Sequence, residues 1–320
     1  MSLSHAVIGM FVVGMTLFNS GPASSQNYPS RPIRLVTSEP GGGTDFAART
    51  IALGIAGPLG QLVIVDNRGG GSNIAGEIVT RATADGHTLL VTGGSFWVGP
   101  LFRKTTYDPI KGFSPISLLV KSPNILVVNP SVAANSVGDL VALARAKPGA
   151  LNYASGGIGT SSHLAAELFK YMAGVDIVHI PYKGSGAVNI NLIGGQVQLT
   201  FATVASVASH IKAGRLKALA VTSAKPSTLV PDLPTVAATV PGYDTGGATA
   251  MFASPGTPAA IVSRLNREVV RLLNQADVRE KFFNVGVETV GSSPEQLAAT
   301  VKSEMARLGK VVKDAGIRVD

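Results

Sequence analysis

The chain contains no cysteine. Disulfides, thiolate nucleophiles and cysteine-bound metals are thereby excluded, as is a lipid attached through an N-terminal cysteine. Charge is also scarce, at 14% of 320 residues, and the first 25 residues carry no Lys, Arg, Asp or Glu. Lys and Arg outnumber Asp and Glu by 27 to 19, yet no three basic residues adjoin and aromatics make up only 6%. The resulting net charge of +8 reads as a solvated basic surface that favours small anions, and not as a nucleic-acid stripe. Apolar runs of membrane-spanning length are missing as well. AVIGMFVVGMTLF at 6–18 falls short of the roughly 20 residues a bilayer requires. With the small residues of NSGPASSQ behind it, it is expected to be a signal peptide over 1–25, with cleavage after Ala23. Export without a lipid anchor places the mature protein in a bacterial periplasm.

Enzyme signatures are missing too. The sequence holds no G-x-S-x-G, no G-x-x-x-x-G-K-[ST], no G-x-G-x-x-G and no H-E-x-x-H. Of five histidines, His5 falls in the leader, and His87, His163, His179 and His210 are too far apart to form a sequence-local metal site. No metal, no cofactor and no catalytic activity are expected. A secreted hydrolase built on an unrecognised Ser/His pair remains the alternative, because distant residues can always be combined into one.

What is abundant is glycine, 37 residues, with 19 prolines, and apolar runs that alternate with helical patterns. IRLV (33–36), LVIVDN (62–67), HTLLVTG (87–93), ISLLV (116–120), NILVVN (124–129), LNYAS (151–155), DIVHIPY (176–182), VQLTFA (197–202) and LKALAVTS (216–223) read as strands. Helices are expected between most of them, among others at 45–56, 72–83, 136–147, 160–173, 185–194 and 204–213. Such alternation indicates α/β layers with largely parallel sheets, and the length indicates two domains. The C-terminal part reads as two long helices with little strand. One is opened by Thr257-Pro258 and buries Ile261, Leu265, Val269 and Leu272. The other is opened by Ser293-Pro294-Glu295-Gln296, buries Leu297, Val301, Met305, Leu308 and Val312, and is stopped by Gly316.

Two strand–glycine loop–helix segments match one another loosely. IRLV–TSEPGGGTD–helix recurs as LNYAS–GGIGTSS–helix. Glycine admits a ligand close to the backbone, and a helix N-terminus offers unpaired N–H groups and partial positive charge to an anion. Thr44 and Asp45 stand where an N-cap would, as do Thr160, Ser161 and Ser162. For either loop alone, simple helix capping is an adequate reading. Two such loops in an exported two-domain chain favour binding. His163 and Tyr182 are further candidates, Phe96 and Trp97 form either an apolar wall or core, and DNRGGGSNIAGE (66–77) is either a third anion loop or a surface turn.

YPSRPIRLV, PGGGTDFAAR, LGQLVIVDNRGGG and ADGHTLL, then LLVKSPNILVVNPS, LNYASGGIGTSSHLAAELF, IVHIPYKGSGA, LIGGQVQLTF, HIKAGRLKALAVTS and PDLPTVA, resemble the Bug family in order across nearly the whole mature chain. These are periplasmic solute-binding receptors of tripartite tricarboxylate transporters. The resemblance implies an α/β, two-lobed type II periplasmic binding protein fold with the ligand cleft between the lobes. It places lobe one at 27–125 plus 228–320 and lobe two at 126–227. It also implies a small carboxylate ligand (a dicarboxylate, amino acid or aromatic acid) and, as partners, membrane permease subunits of a tripartite transporter. The receptor is expected to be a monomer, and an orphan receptor feeding a sensor is a further alternative.

In the family the two glycine loops grip a carboxylate from both sides, here Pro40–Asp45 and Ser155–His163. The expected ligand-binding set is Gly41, Gly42, Gly43, Thr44, Asp45, Ser95, Ser155, Gly156, Gly159, Thr160, His163 and Tyr182, with Glu39 meeting a cationic or hydroxyl part of the ligand. The chain departs from the family at Ser38-Glu39, at Arg68-Gly69-Gly70-Gly71, over Gly186–Asn191 and at Ala202-Thr203. Ligand identity therefore does not carry over.

Overall fold

The computed structural model describes residues 28–314, apart from 39, 42, 69–71, 102–103 and 158–159. The expected signal peptide, Glu39, Gly42, Gly159 and the expected stop at Gly316 lie outside the described residues. Parallel strands β1 (Ile33–Thr37), β2 (Val63–Asn67) and β3 (Thr88–Gly93) are joined through helices α1 (Gly43–Leu59) and α2 (Ser72–Thr80). A short helix, α3 (Ser95–Val98), follows β3 directly.

Strand β4 (Ser114–Val128) is continuous where the sequence suggested two strands. Pro123, which donates no ladder hydrogen bond, falls between the two expected segments and stands where β4 changes partners. Up to Pro123 the strand pairs with β9 (Gly246–Ala253) and with β10 (Glu288–Thr289); from Asn124 it pairs with β7 (Leu199–Thr203) and β8 (Lys217–Val221). β9, absent from the sequence reading, lies antiparallel between β3 and β4, so the first sheet is mixed and not largely parallel. The second sheet continues from β7 to the parallel strands β5 (Asn152–Ser155) and β6 (Val178–Pro181). Its helices are α4 (Val137–Ala146), α5 (Ser161–Ala173), α6 (Ser185–Ile193) and α7 (Val204–Lys212). Two sheets sharing one long strand give the two lobes.

Each sheet is covered on both faces, which is why its strands read as nearly continuous apolar runs. On β1, Ile33 and Leu35 join a core with Ile51 and Ile55 of α1, while Val36 faces the opposite core with Phe96, Trp97 and Phe252. On β4 the alternation continues: Leu126 and Val128 pack with Phe169 and Phe201, and Ile125 and Val127 pack with Val188 and Val207. The C-terminal part forms three helices, α8 (Ala259–Leu273), α9 (Ala276–Asn284) and α10 (Pro294–Asp314).

The capping box of α10 forms as expected. Gln296 Oε1 accepts from the Ser293 N–H at 2.9 Å and Ser293 Oγ accepts from the Gln296 N–H at 3.2 Å. The Thr257 cap does not form. Its hydroxyl donates to the Ser254 carbonyl at 2.8 Å, closing the preceding turn, and Pro258 takes the cap position. The end of α10 reaches the second lobe, where Val311 packs in the Phe169 core and Lys310 Nζ donates to Tyr171 Oη at 2.7 Å. Among the described residues no helix is long and apolar enough to cross a membrane.

Candidate binding site

The two glycine loops occupy equivalent places, each between the carboxyl end of a parallel strand and the N-terminus of the next helix. In open α/β sheets ligands bind at such ends. Gly41 (φ +84°) and Gly157 (φ +132°) take backbone conformations that side chains oppose, and this lets each loop turn tightly into its helix. Both loops border a cavity of about 750 Å³. Its wall includes Gly41, Gly43 and Thr44 from the first loop and Thr160 and Ser161 from the second. Gly93, Gly94 and Ser95 close it after β3, and Thr245–Thr249 close it along β9. Phe46, Leu164 and Phe282 provide apolar surface. The N-termini of α1 and α5 therefore face one space, where their partial positive charge favours an anion.

The expected set divides on this geometry. Gly41, Gly43, Thr44, Ser95 and Thr160 line the cavity; Asp45, Ser155, Gly156, His163 and Tyr182 do not. Asp45 is buried in the first turn of α1 and braces the loop from within. Its carboxylate accepts from the Gly41 N–H at 2.9 Å, from Arg49 Nε at 3.0 Å and from Asn67 Nδ2 at 2.8 Å. Asn67 Nδ2 also donates to the Ser38 carbonyl at 2.9 Å, so the end of β2 holds both ends of the loop. Burial alone would raise the Asp45 pKa, but the bonds from Arg49, Gly41 and Asn67 outweigh it and hold the carboxyl below its usual range.

The second loop is braced in a different way. Ser155, with no exposed surface, places its Oγ 2.7 Å from His179 Nε2 and 3.2 Å from both the Gly157 N–H and its carbonyl. The His179 ring stacks between Tyr153 (4.7 Å) and His163 (4.4 Å). Burial, reinforced by His163, pushes His179 down to about 4, and burial lowers His163 as well, so burial disfavours the charged form of both rings. Thr160 caps α5, accepting from the His163 N–H while donating to the Gly157 carbonyl at 2.7 Å. The Gly156 N–H donates to Ser162 Oγ and its carbonyl accepts from Gly184. Tyr182 gives its N–H to the Ser155 carbonyl at 2.9 Å and packs its ring against the α6–α7 side. Phe96 and Trp97 are core, and Arg68 is paired with Asp66. No group of three or more His, Asp or Glu among the described residues is placed to hold a metal.

Sequence reasoning missed Glu304 and Arg307, the two ionisable residues among the described lining. They lie one turn apart on α10. Glu304 is four positions before the buried Leu308, and that spacing was the available signal. Glu304 Oε2 accepts from Trp97 Nε1 at 2.6 Å, and Arg307 donates to the Asp244 carbonyl beside β9. Burial raises the Glu304 pKa against the opposing pull of Trp97, Arg307 and Lys121, with Asp244 adding to the rise.

Comparison with known proteins identifies the family. Residues 47–317 match the family described as "Tripartite tricarboxylate transporter family receptor". Among solved structures, the chain is similar to Rpa4515 of R. palustris with adipate, at 38% identity and TM-score 0.73 over 91% of this chain and 99% of that one. It is similar to the periplasmic binding protein BugD at 32% identity and TM-score 0.70, over 91% of this chain and 99% of that one. It is also similar to MatC (Rpa3494) from Rhodopseudomonas palustris with bound malate, at 31% identity and TM-score 0.69, over 89% and 100%. With the family match spanning most of the chain and the same fold in its relatives, this protein belongs to the receptors of the tripartite tricarboxylate transporter family.

Proposed function

We propose that this chain is a periplasmic receptor that captures a small carboxylate in the cavity of about 750 Å³ and passes it to the permease subunits of a tripartite transporter. The observation that carries this is the meeting of two helix N-termini, those of α1 and α5, on one largely apolar cavity. Relatives with adipate and with malate support a carboxylate ligand. In this reading lobe one is 27–125 plus 228–320, lobe two is 126–227, the leader is cleaved and the receptor works as a monomer. The ligand contacts are Gly41, Gly43, Thr44, Ser95 and Thr160, with Gly42 and Gly159 in the same loops. The chain is not an enzyme. Ser155 and His179 form a close Ser–His pair, but Ser155 is wholly buried, its oxygen is used inside the loop, and it lies off the cavity wall.

A thermal-shift screen of mono-, di- and aromatic carboxylates tests the proposal, because a ligand that binds only the native state raises its melting temperature. If no member of the panel shifts the melt at millimolar concentration, carboxylate capture is wrong. Ser161→Asp gives a sharper result, since its two effects have opposite signs. A carboxylate in the first turn of α5 is expected to stabilise the helix by about 0.3–1 kcal/mol. The same charge occupies the anion end of the cavity, so calorimetry should show affinity for the best carboxylate falling by at least about tenfold, roughly 1.4 kcal/mol. Unchanged affinity would remove α5 from the binding site.

A further inference from the structure

The cavity that accepts an anion between two helix N-termini also contains a fixed acid. Glu304 is held in one orientation through Oε2, which accepts from the indole of Trp97 at 2.6 Å, and Trp97 is itself wholly buried. Glu304 Oε1 accepts no hydrogen bond from any described residue, and among the described residues no cation lies within ion-pair distance of the carboxylate. Arg307, one turn further on, spends part of its guanidinium on the Asp244 carbonyl. The lining thus carries two helix N-termini and a guanidinium on the one hand, and a carboxylate with an unused acceptor oxygen on the other.

We infer that Glu304 determines specificity, so that this receptor takes a carboxylate that also bears a hydrogen-bond donor, best an ammonium group, in preference to an α,ω-dicarboxylate of the same length. The inference rests on the proposed carboxylate site and narrows its ligand class. The physical reason is the cost of bringing a second ionised carboxylate into a partly desolvated space beside a carboxylate that cannot turn away. An ammonium or amide N–H placed there instead gives Oε1 a partner that no described residue supplies. The groups facing Glu304 are Trp97 from α3, Lys121 from β4, Asp244 ahead of β9 and Arg307 on its own helix. Burial favours the protonated acid, so discrimination against dicarboxylates should weaken as the pH falls and Glu304 becomes neutral.

Matched pairs test this by calorimetry on the mature protein at pH 8: succinate with 4-aminobutanoate, glutarate with 5-aminopentanoate, and adipate with 6-aminohexanoate. The wild type is expected to favour the amino acid of the best-binding pair by about tenfold. Glu304→Gln keeps an acceptor for Trp97 and should lower or reverse that ratio by a similar factor. A merely structural Glu304 would leave the ratio unchanged whatever its effect on stability. Trp97 is the chain's single tryptophan, so its fluorescence gives a second readout. The amino ligand should change the emission of the wild type more than that of Glu304→Gln. A dicarboxylate bound as tightly as its partner by the wild type, or an equal preference in the variant, overturns the inference and leaves carboxylate capture standing. If no member of any pair binds and the wider panel is also silent, carboxylate capture fails and this inference with it. If only compounds outside the pairs bind and none carries a donor, the inference alone fails.

Discussion

Trp97→Ala is expected to cost about 3–5 kcal/mol of stability, the range for truncating a buried aromatic to alanine. Trp97 has no exposed surface, shares its core with Phe96, Leu164, Phe252 and Leu308, and lies 6.3 Å from the Phe252 ring. Removing the indole leaves a void that helices from both lobes cannot easily fill, since Leu164 belongs to α5 and Leu308 to α10. It also removes the donor that holds Glu304, so a half-buried carboxylate loses its only direct hydrogen bond among the described residues. Trp97→Phe separates the two losses, keeping most of the bulk and only removing the N–H. It should cost less, about 1–2 kcal/mol. Urea unfolding followed by circular dichroism measures both, because neither variant retains tryptophan fluorescence. A cost below about 1 kcal/mol for the alanine variant would mean that the site relaxes freely, contrary to the packing described.

Asp45→Ala carries the second large effect, expected at about 2–3 kcal/mol at pH 7. The carboxylate accepts from Gly41, Arg49 and Asn67, and the variant leaves the Gly41 N–H and the Asn67 amide without their charged partner. Because Asn67 also holds the Ser38 carbonyl, the loss spreads along the first glycine loop, and ligand affinity should fall with it. The pH dependence has a definite sign. The folded pKa of Asp45 lies below its unfolded value, so its stabilisation is present above the unfolded carboxyl pKa and is lost as pH falls through the folded one. The stability difference between wild type and Asp45→Ala should therefore be full at pH 7 and shrink below about pH 4. A difference that stays constant down to pH 2 would show that the charge of Asp45 plays no part.

Much of the scaffold was legible from local pattern. The strand–glycine–helix units around β1 and β5, the cap at Ser293, and the buried stripe Ile261, Leu265, Val269 and Leu272 follow from period and capping chemistry, which short segments carry by themselves. So did the family, because its motifs run in order along the chain. β9 was not legible. GGATAMFA has two glycines, three alanines and one β-branched residue, too little to mark a strand alone, and its strand state comes from lying between β3 and β4. The unity of β4 was hidden for a related reason, since Pro123 breaks a local pattern but falls where the strand changes neighbours.

At the site the division follows the same line. Local pattern alone puts two glycine-rich turns ahead of helix N-termini, because glycine favours the turn and hydroxyl residues favour the cap. Which side chains line the cavity is settled by long-range packing. Asp45, Ser155 and His163 are the right residue types in the right loops, but each is turned inward by partners distant in sequence or on another element: Asn67 from β2, and His179 from β6. Glu304 and Arg307 stand more than 250 residues beyond Gly43 and reach the same cavity because α10 packs back across the first sheet. Hydrogen-bond partners and cavity walls are properties of long-range packing, and a local pattern contains no term for them.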